Sequence, residues 1–199
     1  MGVYELSGAG SLKTGRTLYT SMNANNQFGA MVPIASYTAA STGGFSFTNI
    51  PQNYQDLMIV FAPKDAATSG TSNTQIIFNL DTNTIYSSTR LLGDGSSATS
   101  DRNTGLFYSL GGFVPTSATG LTSVFGAVTY HILNYTNTST FKTVLQRSAN
   151  DQNGSGYTSL VAGLYRSTAA ITTVTLNASN VGMTTGTTAT IYGIRAVSS

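Results

Sequence analysis

Between residues 45 and 196, short apolar runs rich in Val, Ile, Thr, Tyr and Phe alternate with clusters of Gly, Asn, Ser and Asp. This is the pattern of β-strands joined by turns. Phe45-Ser46-Phe47-Thr48 alternates and closes at Ile50-Pro51, because proline has no N–H for a ladder. Residues 57–62 form an unbroken apolar run ended by Pro63, as expected of a central strand covered on both faces. Residues 75–80 and 85–92 read as a strand pair joined through Asp81-Thr82-Asn83-Thr84. A long polar loop follows to Asn103, then a short strand over 106–110 and a loop opened by Gly111-Gly112. Residues 123–135 are the longest apolar segment, with Val124, Val128, Tyr130 and Ile132 on one face. Phe125, Ala127, Leu133 and Tyr135 fall on the other, so cover is again expected on both sides, and Gly126 marks a bulge. Strands over 141–148, 157–165, 171–176 and 187–196 complete about nine, with no helix longer than a turn. The expected fold is an all-β, jelly-roll-like antiparallel β-sandwich at 33–199.

Residues 1–32 have no such period. Gly8, Gly10, Gly15 and Gly29 punctuate Ser, Thr and Asn, and Lys13 and Arg16 flank Gly15. A disordered tail is one reading. The other is an extended N-terminal arm that orders on a partner, with Val3, Tyr4, Leu6, Lys13, Arg16, Leu18, Tyr19, Met22 and Phe28 as its assembly residues.

Composition sharpens the picture through what is scarce. Only 8% of the 199 residues are charged, so a free monomer would expose an unusually neutral surface, and much of it is expected to lie against other subunits. The net charge of +2 is spread singly, with no basic stripe for nucleic acid. The start Met1-Gly2-Val3-Tyr4-Glu5 lacks the basic and apolar regions of a signal peptide, and no run is long enough for a membrane helix. Synthesis without secretion and no membrane insertion are the expectations.

The residues offer little for catalysis. There is no Cys, and the single His131 lies inside the longest apolar strand, as a half-buried imidazole satisfied by backbone would. No Gly-x-Ser-x-Gly elbow supplies a nucleophile. Asp151-Gln152-Asn153-Gly154-Ser155-Gly156 copies the opening of a calcium loop, but Ala162 stands where the bidentate Glu belongs, and a hairpin turn explains the same residues. Asp94, Asp101 and Arg102 share one predicted loop, as a weak carboxylate pair or, more simply, an Asp101–Arg102 brace. Tyr54, Tyr86, Tyr108, Tyr135 and Tyr157 lie near strand ends, where tyrosines build cores or contact sugars and flat protein surfaces. No catalytic, cofactor or metal site is expected, and no cofactor.

Several segments together resemble a known module. The run from Phe45 through Ile50-Pro51-Gln52-Asn53-Tyr54-Gln55-Asp56-Leu57 resembles the "F-x-x-I-P-Q-x-Y-x-D-L" opening of a β-sandwich module of tailed-phage virion proteins. Leu133-Asn134-Tyr135 through Thr140-Phe141-Lys142 resembles its "I-x-N-Y-x-x-T-x-x-K". Ala170-Ile171-Thr172-Thr173-Val174-Thr175-Leu176 and Ile191-Tyr192-Gly193-Ile194 resemble its closing motifs. The resemblance implies a non-enzymatic virion structural protein, made in the host cytoplasm: a tail fibre or tail-accessory component attached by its arm. A capsid decoration protein and a carbohydrate-binding, receptor-binding module are the alternatives. Expected partners are copies of the chain itself, with a trimer favoured, other virion proteins, and a host-surface glycan.

Overall fold

The computed structural model describes residues 31–68, 71–117 and 123–195. The arm residues Tyr4, Leu6, Lys13, Arg16, Leu18, Tyr19, Met22 and Phe28 lie outside the described residues. Twelve strands follow in chain order: β1 (Met31–Thr38), β2 (Phe45–Phe47), β3 (Asp56–Ala62), β4 (Ser72–Phe78), β5 (Tyr86–Gly93) and β6 (Ala98–Leu106) make up the first half. The second half holds β7 (Ser109–Val114), β8 (Ala127–Ile132), β9 (Lys142–Asp151), β10 (Gly156–Tyr165), β11 (Val174–Ala178) and β12 (Thr188–Ile194). No helix occurs among the described residues, and none there is long and apolar enough to cross a membrane.

The strands form two antiparallel sheets, of eight and four strands. The larger runs β1-β12-β3-β8-β9-β10-β5-β6 and the smaller β2-β11-β4-β7. β7 packs across β9, β10 and β5, giving a sandwich-like arrangement. The alternation of the sequence decides which side chains enter: β9 alternates buried and exposed over its whole length, and β4 alternates buried and half-buried. Leu57, Ile59 and Phe61 from β3 and Tyr130 and Ile132 from β8 meet Phe45, Phe47, Ile76, Phe78, Val174 and Leu176 in one core. Tyr86 stacks on Tyr165 with centroids 4.9 Å apart, and Phe78 lies 5.4 Å from Tyr165. The Tyr86 hydroxyl accepts from the Phe78 amide at 3.0 Å and lies 3.0 Å from the Asp81 carbonyl, to which it donates. Burial raises the Tyr86 pKa above its ordinary value.

Toward β7 the core changes character. A Cβ on Gly111 would stand 2.0 Å from Thr74 Oγ1, and one on Gly112 would stand 1.9 Å from Ser148 Oγ. The missing side chains let this strand sit directly on the small polar residues of β9 and β10. Gln146 bridges the layers: its Oε1 accepts from the Gly112 amide at 2.9 Å, and its Nε2 donates to Thr74 Oγ1 at 2.8 Å.

A buried carboxylate organises the loops at one end. Asp65 is fully buried and accepts from the amides of Ala67 at 2.8 Å, Asn180 at 3.2 Å and Val181 at 3.3 Å, and from the Ser72 hydroxyl. Its own amide donates to the Pro115 carbonyl at 2.9 Å. Two loops are thereby fixed to one side chain, and a third is held by the same residue's backbone.

The chain departs from its sequence-based expectations at definite places. Among the described residues twelve strands replace about nine. β1 begins at Met31, so the arm boundary at residue 32 falls inside a strand that pairs with β12 and links to it through Ser36 and Thr190, 2.9 Å apart. The supposed 75–80/85–92 pair is split: β4 and β5 belong to different sheets, and Asp81–Thr84 crosses between them. The polar loop to Asn103 is a hairpin, β5–β6, turned at Asp94. Gly111-Gly112 lies inside β7 and not after it. Among the described residues β3 and β8 are covered on one face only.

Candidate interaction surface

The outward face of the larger sheet is the most unusual surface of the described chain. In register across it, Thr190, Val60, Thr129, Arg147, Leu160, Leu91 and Ser100 face each other on successive strands. The next row reads Tyr192, Met58, His131, Leu145, Ala162, Thr89 and Arg102. Val60, Leu91, Leu145 and Leu160 are 47, 57, 41 and 43% exposed, values a solvent-facing strand normally reserves for polar residues. Neither row contains an acidic side chain, and Arg147, Arg102 and His131 are the basic groups. An open groove of about 1020 Å³ runs over this face, lined by Val60, Leu91, Ala127, Ala149, Thr158 and Leu160 among others. A second cleft of about 690 Å³ lies where the Asp94 and Asp151 turns approach Phe125 and Tyr157.

The cause is legible in β3 and β8. Leu57–Ala62 and Val124–Tyr135 carry apolar residues on both sides of the pleat, yet the smaller sheet covers one side. What remains is a broad, neutral surface that costs free energy to leave in water, about 25 cal/mol per Å² of apolar area.

The segments that resemble the phage module converge at one corner. Gln52 Nε2 donates to the Ile50 carbonyl at 2.8 Å and the Ile171 carbonyl at 2.9 Å. The Tyr135 hydroxyl donates to the Pro51 carbonyl, and the Ile171 amide to the Tyr135 carbonyl at 2.9 Å. Tyr54 lies on Gly193, where a Cβ would stand 2.2 Å from the ring. Asn134, at φ 48°, sends its amide to Asp56 Oδ1 at 2.8 Å. Lys142 is buried and donates to the Thr140 and Thr168 carbonyls at 2.9 and 3.1 Å, and its burial lowers the ammonium pKa. Every group at this corner is engaged in holding backbone, which is the chemistry of a fold determinant.

The remaining candidates resolve as follows. His131 pairs with the Asp56 carboxylate, Nε2 to Oδ2 at 3.2 Å, where backbone was the expected partner. Its strand position sets it beside Met58 and Leu145, and no hydroxyl or thiol is bonded to it among the described residues. Asp101 pairs with Arg90, not with its neighbour Arg102, because the two flank the β5–β6 ladder and Arg102 points to the outer face. Arg90 in turn reaches Asn73 at 2.6 Å and lies 4.7 Å from the Phe113 ring. The Asp94 carboxylate accepts from the amides and hydroxyls of Ser96 and Ser97, bonds that lower its pKa well below the usual range. Asp151–Gly156 forms the β9–β10 hairpin, with Asn153 at φ 57° and Gly154 at φ 109°. Tyr86 and Tyr135 are core residues, while Tyr54, Tyr108 and Tyr157 are half-buried. Among the described residues no cluster of His or acidic side chains has the makings of a metal site. Arg147, which the sequence does not single out, and Asp151, the first residue of the calcium-like run, both point outward from β9 on the large face.

No protein-family model, curated protein or solved structure matches this chain.

Proposed function

We propose that this chain is a non-enzymatic structural protein of a phage virion, a tail fibre or tail-accessory component joined to the particle by residues 1–32 and working as a homo-oligomer. The observation that carries the reading is the outer face of the larger sheet, uncovered and nearly uncharged among the described residues, which asks for other protein against it. The motif resemblance supports the phage assignment. The nested pairs β3·β12, β4·β11 and β5·β10, alternating between sheets, support describing the sandwich as jelly-roll-like. The described side chains serve packing and turns, which favours a role in building over one in turnover.

The test is deletion of residues 1–32. The truncated chain is expected to fold and to be missing from purified particles, and its continued incorporation overturns the arm's role. A capsid decoration protein is the second reading, favoured by the breadth of the same face, which suits bridging between neighbours. Copy number separates the two: a few copies per particle with loss of adsorption supports the tail, whereas hundreds with fragile heads supports decoration.

A further inference from the structure

The outward face of β9 carries charges of opposite sign placed symmetrically about an alanine. Arg147, Ala149 and Asp151 all point outward, in a strand whose burial alternates without a break. The two charged residues lie about 13 Å apart with Ala149 midway. Among the described residues Arg147 has no hydrogen-bond or ion-pair partner, and Asp151 uses Oδ1 alone, for the Asn153 amide at 2.8 Å.

We infer that a second copy of this chain packs on this face, related by a two-fold axis that runs parallel to the sheet about 5 Å above its outward face, crosses the strands and passes over Ala149. Such an axis exchanges the two ends of β9 and sets each Arg147 against the other copy's Asp151, forming two ion pairs across the interface. The same operation lays Leu160 over the second copy's Gly156, which is in register with Asp151, so this leucine meets a position without a side chain. On the axis itself only small residues face each other: Ala149, Thr158 and Gly93, which are in register with one another. An isologous contact of this kind is self-complementary by construction.

The size also fits. Seven strands at about 4.8 Å, and the three rows of Arg147, Ala149 and Asp151 at about 6.7 Å each, give a footprint of roughly 700 Å². A standard stable interface covers about 800 Å² per partner. A partner with a large acidic patch suits the face less well, because only Arg147, Arg102 and His131 would meet it. The inference rests on the reading of the chain as an oligomer, and puts pairing in place of three-fold packing.

Sedimentation velocity on the full chain tests it. The wild type is expected to sediment as a dimer, Arg147→Asp and Asp151→Arg each to weaken association at least tenfold, and the double reversal to restore it. Because the chain has no cysteine, Ala149→Cys adds a second readout: a short bis-maleimide should link two copies through it, and should not do so through Thr143→Cys at the other end of β9. A monomeric wild type, single reversals that associate like wild type, a double reversal that fails to rescue, or equal crosslinking at both cysteines overturns the inference. Virion incorporation is scored separately on purified particles. A chain present in particles but indifferent to these substitutions therefore removes this interface and leaves the virion reading standing.

Discussion

Gln146 on β9 accepts the amide hydrogen of Gly112 on β7 at 2.9 Å, a hydrogen bond that runs from one sheet to the other. Sheets in a sandwich normally meet through apolar side chains about 10 Å apart. Here the backbone of one strand is close enough to use a side chain of the facing sheet, and both Gln146 and Gly112 are buried.

Gly112→Ala should therefore cost about 3 kcal/mol or more, since its Cβ would meet Ser148 Oγ at 1.9 Å and Ser159 Cβ at 2.7 Å. Chemical denaturation reads this as a lower midpoint. Gln146→Leu leaves the Gly112 amide buried without an acceptor and should cost about 1–3 kcal/mol. A Gly112→Ala protein as stable as wild type would show that the layers are further apart than described.

Asp65→Ala should be among the most damaging single changes outside the aromatic core. It strips acceptors from the Ala67, Asn180 and Val181 amides and the Ser72 hydroxyl together. A loss of about 3 kcal/mol or more is expected, since hydrogen bonds to a charged acceptor are each worth about 1.5–3 kcal/mol. Hydrogen exchange should show faster exchange at Ala67, Asn180 and Val181 before the rest of the sheet opens. Unchanged protection there would remove Asp65 as the organiser of that end.

Alkali should destabilise the protein through its buried phenols. Burial raises the pKa of both Tyr86 and Tyr130 above the ordinary 10.0. The folded state then holds protons that the unfolded chain gives up, so the contribution is complete below pH 10 and is lost as the pH climbs through the folded-state values. Melting temperature should be level up to about pH 10 on this account and fall above it. Tyr86→Phe should flatten that fall, while lowering stability at neutral pH by about 1–2 kcal/mol through the bonds to Phe78 and Asp81. A melting curve of Tyr86→Phe with the wild-type alkaline slope would refute the assignment.

Gly193→Ala should strain the corner where the motif segments meet. The added methyl would press on the Tyr54 ring at 2.2 Å, and the half-buried ring has room to give way only by leaving Gly193. The expected cost is about 1–3 kcal/mol. Tyr54→Ala in the same chain should relieve part of it, so the double-mutant cycle should show coupling of about 0.5 kcal/mol or more. Strict additivity would mean that the two residues do not touch.

The strands that bury one face were legible because burial writes period two into the sequence. β3, β8, β9 and β10 fall where the apolar residues indicate, within a few residues. β6 was not legible, since an edge strand with nearly every residue in solvent carries Ala98 to Leu106 with no alternation to detect. β7 was hidden by Gly111-Gly112, residues that signal turns in general and here make room for Gln146. The β4–β5 crossing was missed because Asp81-Thr82-Asn83-Thr84 turns a chain equally well within a sheet or between sheets. The large outer face was legible in part: the double-sided hydrophobicity of β3 and β8 asks for cover, but the facing positions of Arg147 and Asp151 emerge only once β9 is known to run unbroken to Asp151.

β1 and β12 lie side by side at the border of the larger sheet, with Ala39 donating to the Thr187 carbonyl and Ser36 facing Thr190. Followed outward, that pairing carries Val32 and Ile194 to one corner. A short peptide bridge between those two positions would turn the twelve strands into a ring that can be reopened at any exposed hairpin, such as the one at Asp94. Cyclised and permuted versions of the domain are thus open to engineering, and cargo fused at either of those two positions would leave from the same place.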